Sequence, residues 1–198
     1  MQNKGVQTRQ RIVSKSLQLF SVKGYYHTSV NDILDATGLT KGGLYGHFAS
    51  KEDIWYAAYD AAVDIWKNIV FRGIRNNTDP LRRVEKFIEN DMNYYLGEDT
   101  FAGGCFFLNM VVELSGQSVA MSKKILSGFV RLSQLLQSWL EQAEENGVLK
   151  EGLDLKEISN FIIISLNGAA ALYISSRDPS VLKQTVRQLR FYIKQLKG

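Results

Sequence analysis

Residues 29–51 constrain the fold of this chain more than any other stretch. Ser29 can accept a hydrogen bond from a free backbone N–H, and Asp32 three residues later completes a capping box at the start of a helix. Gly38 ends that helix, because a residue without a Cβ adopts the left-handed conformation at little steric cost. Thr40 can cap a second helix at once. The stretch therefore predicts a helix-turn-helix.

The second predicted helix contains two adjacent glycines, Gly42 and Gly43, in its first turn. Each glycine destabilises a helix by roughly 1 kcal/mol relative to alanine, and such departures from local rules tend to mark functional sites. Without these side chains, a phosphate or a base edge can approach the free N–H groups of the first turn closely. Residues with hydrogen-bond donors surround that end of the helix: Lys41, Tyr45, His47 and Lys51. The pattern favours a surface that binds a polyanion.

The run from Gly38 to Glu52 resembles the DNA-binding signature of the tetracycline-repressor (TetR) family of bacterial transcription regulators. The similarity extends back through Asp32 to the region of Phe20 and Gly24, and so covers about the first quarter of the chain. Beyond Trp55 the similarity is one of length and helical layout only. The motif is specific enough to predict the family.

This resemblance implies an all-α fold of about nine helices. A three-helix DNA-binding head is expected at residues 1–50, and a helical bundle for ligand binding and dimerisation at residues 51–198. The implied function is that of a ligand-responsive repressor that binds an inverted repeat in double-stranded DNA as a homodimer. A small apolar or aromatic effector would release it. The helix that runs from Ser50 towards residue 74 would join the head to the body and act as the lever between them.

The DNA-binding residues that the resemblance implies are Ser29, Asn31, Lys41, Gly42, Gly43, Tyr45, Gly46, His47 and Lys51. In the family, the residues at the positions of Tyr45, His47 and Lys51 usually bind phosphates of the DNA backbone. For Tyr45 and His47 the alternative is a packing role. Gly43 and Gly46 depart from the family pattern, in which a Thr or Ser and a larger side chain are common. Base reading would then depend on the remaining side chains, on backbone approach and on DNA shape.

Charge and composition fit a cytoplasmic protein. The net charge is +4, and residues 1–31 contain five Lys and Arg residues with no Asp or Glu, so the head is the basic part. The polar N-terminus predicts no signal peptide. The most apolar run, Phe161–Ser176, contains Asn167 and is shorter than the ~20 residues that span a bilayer, so no membrane partner is expected. A single cysteine allows neither an internal disulfide nor a cysteine-based zinc cluster, and we predict no metal and no cofactor.

The last two predicted helices, residues 155–176 and 180–196, carry apolar residues on more faces than the core of a monomer needs. They predict a dimer interface of four helices across a two-fold axis. The alternative is that they pack only on their own chain. Basic residues beside this seam are interpreted as a solvated rim, and the alternatives are a second nucleic-acid surface or a membrane contact: Lys183, Arg187, Arg190, Lys194 and Lys197.

The body also contains aromatic and apolar residues with a few polar ones, a mixture typical both of a ligand pocket and of a plain core. The candidate ligand-binding residues are Trp66, Tyr94, Tyr95, Cys105, Phe106, Asn109, Met110, Glu113, Trp139 and Asn167. Glu113 is the strongest candidate, because a carboxylate on an otherwise apolar helix needs a partner. That partner is either a cationic or hydrogen-bonding group of a ligand, or an Arg or Lys of this chain.

Cys105 leads to an alternative hypothesis about the signal. It follows Gly103 and Gly104 at the predicted start of a helix, where the helix dipole can lower the pKa of a thiol. A repressor that senses electrophiles or oxidants through Cys105 is therefore the second candidate function. The competing interpretation is a small buried apolar residue.

Two other classes of protein fit the sequence poorly. An enzyme would need a metal-ligand cluster, a phosphate-binding glycine loop after a strand or a nucleophile signature, and the sequence contains none of these patterns. A helical adaptor without a DNA role would leave the glycine pair and its donors unexplained. We therefore predict a regulator and not an enzyme.

Overall fold

The computed structural model describes residues 4–198. Over this range the chain forms nine α-helices and one π-helical segment, and its only β-type pairing is an isolated bridge between Leu149 and Lys197. The α-helices are α1 (Lys4–Lys23), α2 (Val30–Thr37), α3 (Lys41–Tyr45), α4 (Lys51–Val70), α5 (Pro80–Asn90), α6 (Phe106–Leu114), α7 (Val119–Glu145), α8 (Leu155–Ser176) and α9 (Pro179–Gln195). The predicted all-α fold is confirmed.

The helix-turn-helix forms at the predicted residues. The Ser29 hydroxyl accepts from the Asp32 N–H, and the Asp32 carboxylate accepts in return from the Ser29 N–H, which completes the capping box. Gly38 ends α2 in the left-handed conformation at φ 65°. Thr40 caps α3 by accepting from the Gly43 N–H at 3.2 Å. Leu44 is fully buried, so that α3 is held by its apolar face.

Several boundaries differ from the sequence prediction. α1 begins at Lys4, so the basic N-terminal segment is helical from that residue onward, and residues 1–3 lie outside the described part of the chain. α4 ends at Val70, where the Asn90 side chain donates to the carbonyls of Val70 and Arg72 at 2.9 Å each. The segment predicted as one helix from residue 80 to 96 changes at Asp91 into a π-helix, Asp91–Leu96.

The body consists of α4–α9 and the π-helix. α4 packs on α1 at its first half and reaches α5 and the π-helix at its second half. α5 lies between α7 and α9, and α8 packs against both α7 and α9. We use "head" below for residues 4–50 and "body" for residues 51–198.

α8 is both long and largely apolar. With 22 residues and a mean hydropathy of 1.5 over its most apolar window, it is long and apolar enough to cross a membrane by those two criteria. It is therefore longer than the apolar run expected from the sequence. However, 44% of that window is buried inside the chain, mainly against α7 and α9. A long core helix of a bundle has the same properties.

Candidate DNA-binding surface and internal cavity

The surface formed by α3 is open to solvent. Lys41, Gly42, Gly43 and Gly46 are exposed, and Tyr45 is 48% exposed, whereas His47 is half-buried. Asn31, in the first turn of α2, is also exposed. A Cβ atom added at Gly42 would meet no atom within 4 Å. The packing of this chain therefore does not require a glycine at that position.

Ser29 and Lys51 have intramolecular roles at the edge of this surface. The Ser29 hydroxyl is occupied by the capping box described above. Lys51 Nζ donates to the carbonyls of Tyr25 and Thr28 at 2.9 Å each, and lies 4.1 Å from the centre of the Tyr25 ring. Burial lowers the pKa of the Lys51 ammonium group. One of its three N–H donors remains for a phosphate, so the DNA contacts assigned to Ser29 and Lys51 stay predictions.

Glu113, at the C-terminal end of α6, contacts the head. Its Oε2 accepts from the backbone N–H of Tyr25 at 2.9 Å, and its Oε1 accepts from that of Tyr26 at 2.8 Å. Gly24 has φ 81°, and a Cβ atom there would lie 2.6 Å from Oε2. The expectation that Glu113 lines a ligand pocket is thereby corrected. Its partners are main-chain donors of the loop between α1 and α2.

A second contact joins the head to the loop that precedes α6. The backbone of Gly103 lies so close to α1 that an added Cβ atom would be 1.7 Å from the carbonyl oxygen of Ser21. The Gly103 N–H also donates to the Ser21 hydroxyl at 3.4 Å. Asn109 supports this loop, since its Nδ2 donates to the Gly103 carbonyl at 2.7 Å. Asn109 thus stabilises this loop and does not line the cavity of the body.

The body contains a partly open cavity of about 300 Å³ between α4, α5, the π-helix, α6, α7 and α8. Aromatic rings form much of its wall: Tyr59, Trp66, Phe71, Phe87, Tyr95, Phe107 and Phe129. Among its polar residues are Lys67, Asp91, Cys105, Arg131 and Asn167. A concave space with apolar walls and few polar groups is typical of a small-molecule site.

Four of the ten predicted ligand-binding residues line this cavity, namely Trp66, Tyr95, Cys105 and Asn167. The other predicted residues lie elsewhere. Tyr94 is 39% exposed on the outer side of the π-helix, and Phe106, Met110 and Trp139 are buried in the core. Met110, for example, accepts from Trp55 Nε1 through its sulfur at 3.5 Å. The neighbouring Phe107 lines the cavity instead of Phe106 because the α6 register turns it inward.

Asp91 is one of the polar cavity residues that were not predicted from the sequence, together with Lys67 and Arg131. It is the first residue of the π-helix, and Trp66 Nε1 donates to its Oδ1 at 3.0 Å. Burial raises the pKa of the Asp91 carboxyl group to about 6, although the Trp66 hydrogen bond acts in the opposite direction. A signal was present in the sequence, since Asp91 lies four residues before Tyr95 and hence near the same helix face.

Cys105 does not have the reactive character that its position predicted. It is buried, and Tyr95 Oη lies 3.8 Å from its Sγ. Burial raises the pKa of the Cys105 thiol to about 11, even though backbone N–H groups at the start of α6 oppose the shift. The prediction of a lowered pKa is wrong, because desolvation outweighs the helix terminus here. The sensing hypothesis loses its chemical basis.

Comparison with known proteins gives two family matches. Residues 12–58 match the family described as bacterial regulatory proteins, tetR family, and residues 80–189 match the family described as tetracyclin repressor-like, C-terminal domain. A helix-turn-helix transcriptional regulator from the lacX 3′ region of Lactococcus lactis subsp. lactis is 29% identical over 187 residues, which cover 92% of this chain and 91% of that one.

Two further proteins are similar along nearly the whole chain. The helix-turn-helix transcriptional repressor DhaR of Mycobacterium sp. (strain GP1) is 28% identical over 177 residues, covering 89% of this chain and 87% of its own. The crystal structure of a TetR transcriptional regulator from Chloroflexus aurantiacus J-10-fl superposes with a TM-score of 0.91 at 27% identity, and 98% of each chain is covered. The similarity thus includes both the head and the body.

Proposed function

Because the chain belongs to the tetracycline-repressor family of bacterial transcriptional regulators, we propose that it is a cytoplasmic repressor controlled by a small molecule. The head, with residues 1–50, binds an inverted repeat in double-stranded DNA. The body, with residues 51–198, binds the effector and forms the homodimer. The observation that carries this proposal is the mainly apolar cavity in a body that contacts the head through α6 and the loop before it.

The DNA-binding part of the proposal rests on the exposed surface of α3 and its neighbours. Lys41, Tyr45 and Gly46 face solvent, and Lys51 lies at the edge of the same surface. In a dimer, two such helices enter successive major grooves when they are ~34–36 Å apart, which requires an inverted repeat. The relatives named above are transcriptional regulators and not enzymes.

Lys51→Ala separates the two roles of this lysine. If its remaining N–H contacts a phosphate, the slope of log affinity against log salt concentration falls by about one for all DNA sequences. Fluorescence anisotropy titrations over a salt series measure this slope, and thermal melting measures the loss of the bonds to Tyr25 and Thr28. The exposed Lys156, replaced by alanine, serves as the control and is expected to change neither quantity. If DNA binding weakens but the slope is unchanged, Lys51 stabilises the loop and does not contact a phosphate.

The dimer part of the proposal rests on apolar side chains that α8 and α9 leave exposed. Ile164 is 68% exposed, Leu172 is 63% exposed and Phe191 is 60% exposed. Gly168 lies between the first two on α8 with no atom within 4 Å of an added Cβ, so another helix can approach there. A contiguous apolar surface of this kind favours an interface. A dimer interface also accounts for the apolar residues of α8 without a membrane.

The basic residues beside this surface fit a solvated rim. Arg190, one of the five basic residues, forms a salt bridge with Glu89 of α5 in the same chain. Lys183, Arg187 and Lys194 are exposed on α9. A charged border around an apolar centre is common at interfaces between protein subunits.

Ile164→Glu is expected to convert the dimer into a monomer. The substitution places a carboxylate in the apolar centre of the proposed interface, where burial of an unpaired charge is strongly unfavourable. Sedimentation velocity gives the mass of each species. Val119→Glu is the control, since Val119 is 83% exposed at the start of α7, away from α8 and α9. A wild-type monomer, or a variant that remains a dimer, would contradict this interface.

The effector part of the proposal requires that the ligand bind two states of the protein with different affinities. A ligand in the cavity releases DNA only if it prefers the DNA-incompetent state, by about 1–3 kcal/mol in typical allosteric proteins, or roughly 5–150-fold in operator affinity. α6 is suited to transmit the change. Phe107 lies in the cavity near its first turn, and Glu113 holds the head near its last turn.

A further inference from the structure

The cavity contains a carboxylate without a charged partner. Within residues 4–198, the hydrogen bond from Trp66 Nε1 is the only one that reaches the Asp91 carboxylate, and no Lys or Arg forms a salt bridge with it. Its second oxygen has no donor in the described part of the chain. Desolvation of a charged group without a partner is unfavourable, and a cationic ligand in the cavity would supply that partner.

Aromatic rings pack around Trp66, the residue that donates to this carboxylate. The Trp66 ring, whose N–H holds Asp91, packs edge-to-face against Phe71, Phe87 and Phe107 at centroid distances of 5.8, 6.1 and 6.0 Å. Aromatic faces attract cations through the ring quadrupole, most strongly when the site is desolvated. The carboxylate and the aromatic rings that line this cavity therefore both favour a positively charged ligand.

The backbone at Asp91 is also unusual. The chain changes from α-helix to π-helix at this residue. π-helical turns are rare and occur frequently at functional sites, because they re-aim side chains at the expense of regular hydrogen bonding. The π-helix is an observation independent of charge, and it also indicates that this cavity is a functional site.

We propose that the cavity binds a small organic cation, an amine on an aromatic or aliphatic body, whose protonated nitrogen pairs with Asp91. This inference rests on the proposed function, because it assigns a chemical class to the effector of the same cavity. At about 300 Å³, the cavity is at the lower end of the range for ligand sites, roughly 300–1,000 Å³. The ligand is accordingly a small one.

The two cationic residues of the cavity do not make it a binding site for an anionic ligand. Lys67 and Arg131 are exposed, so their charged groups are solvated. Arg131 Nη1 also donates to the Ser127 hydroxyl at 3.2 Å. An anion that entered from their side would meet the Asp91 carboxylate inside the cavity.

Amine binding is expected to weaken as the pH falls below about 6, where the Asp91 carboxyl group becomes protonated, since its pKa is raised to about 6 by burial. The other titratable or charged residues of the cavity are Tyr59 and Lys67 on α4, Tyr95 on the π-helix, Cys105 before α6 and Arg131 on α7. The pKa values of Tyr59, Tyr95 and Cys105 are raised by burial, so these groups remain neutral in this range. The pH dependence therefore belongs to Asp91.

The test is isothermal titration calorimetry on the full chain with 4-phenylbutylamine and its uncharged counterpart, 4-phenylbutan-1-ol. We expect the amine to bind at least about tenfold more tightly at pH 7.5, as one desolvated charge pair allows. Asp91→Asn keeps the shape of the side chain and an acceptor for Trp66, and is expected to remove this preference. Asp64→Asn, on the exposed side of α4, is the matched control and should retain it.

Equal affinity for the amine and the alcohol, a preference that persists in Asp91→Asn, or no binding of either probe at millimolar concentration would overturn the inference. The wild-type chain provides an independent criterion, because amine affinity must fall between pH 7.5 and 5 while alcohol affinity stays constant. Calorimetry uses no DNA. A failure here therefore leaves the repressor assignment intact, whereas amine binding without release of DNA would count against the proposed effector response.

Discussion

Gly103→Ala is expected to lower the melting temperature by roughly 2–12 °C and to weaken operator binding. The added Cβ atom would lie 1.7 Å from the Ser21 carbonyl oxygen, so the loop before α6 and the end of α1 have to move apart. Overpacking of this kind typically destabilises a protein by about 1–3 kcal/mol, and 1 kcal/mol corresponds to roughly 2–4 °C for a chain of this size. Gly103 has no positive φ, so backbone strain does not contribute.

Differential scanning calorimetry and anisotropy titration measure the two effects of Gly103→Ala. Gly42→Ala is the matched control for stability, because no atom lies within 4 Å of its added Cβ and the melting temperature should not decrease. We expect the Gly103 variant to keep its helical content while the head loses its fixed position on the body. A variant with wild-type stability and operator affinity would show that this close approach does not hold the head.

Glu113→Ala is expected to uncouple the head from the cavity. The substitution leaves the N–H groups of Tyr25 and Tyr26 without the carboxylate that accepts from both. Hydrogen bonds to charged groups contribute about 1.5–3 kcal/mol when buried; since these are only partly buried, we expect a loss of about 2 kcal/mol, or roughly 4–8 °C in melting temperature. The ratio of operator affinities without and with a ligand in the cavity should approach one.

The measurement for Glu113→Ala is a pair of anisotropy titrations, with and without a saturating cavity-bound amine. Glu113→Gln keeps one carbonyl acceptor and should give an intermediate loss of stability and coupling. Glu144→Ala removes an exposed carboxylate of α7 and controls for the change in net charge. If Glu113→Ala responds to the amine as strongly as the wild type, α6 does not transmit the signal through this contact.

The parts of the fold that follow from local chemistry could be predicted from the sequence. Ser29, Gly38 and Thr40 define the helix-turn-helix because caps depend on side chains and backbone groups within three residues of each other. The π-helix at Asp91 could not be predicted in this way. Its first residue is held by Trp66, which is 25 positions earlier in the chain, so its formation depends on tertiary packing.

The same distinction applies to the candidate site. The sequence identified Glu113 as a carboxylate in need of a partner, but its partners are backbone N–H groups 87 and 88 residues away. Main-chain donors have no residue type by which a sequence can identify them. Cys105 shows the opposite problem, since the helix start was visible in the sequence and the burial that raises its pKa was not.

The measurement that tests the central claim most directly is a selection of genomic fragments by the purified protein, followed by sequencing and anisotropy titration of the recovered DNA. We predict enrichment of fragments that share an inverted repeat, with half-sites about one helical turn apart, bound by a dimer in a salt-dependent manner. Binding to these fragments that is no tighter than to random DNA, or recovery of fragments without a shared sequence, would contradict the account of this chain as a sequence-specific repressor.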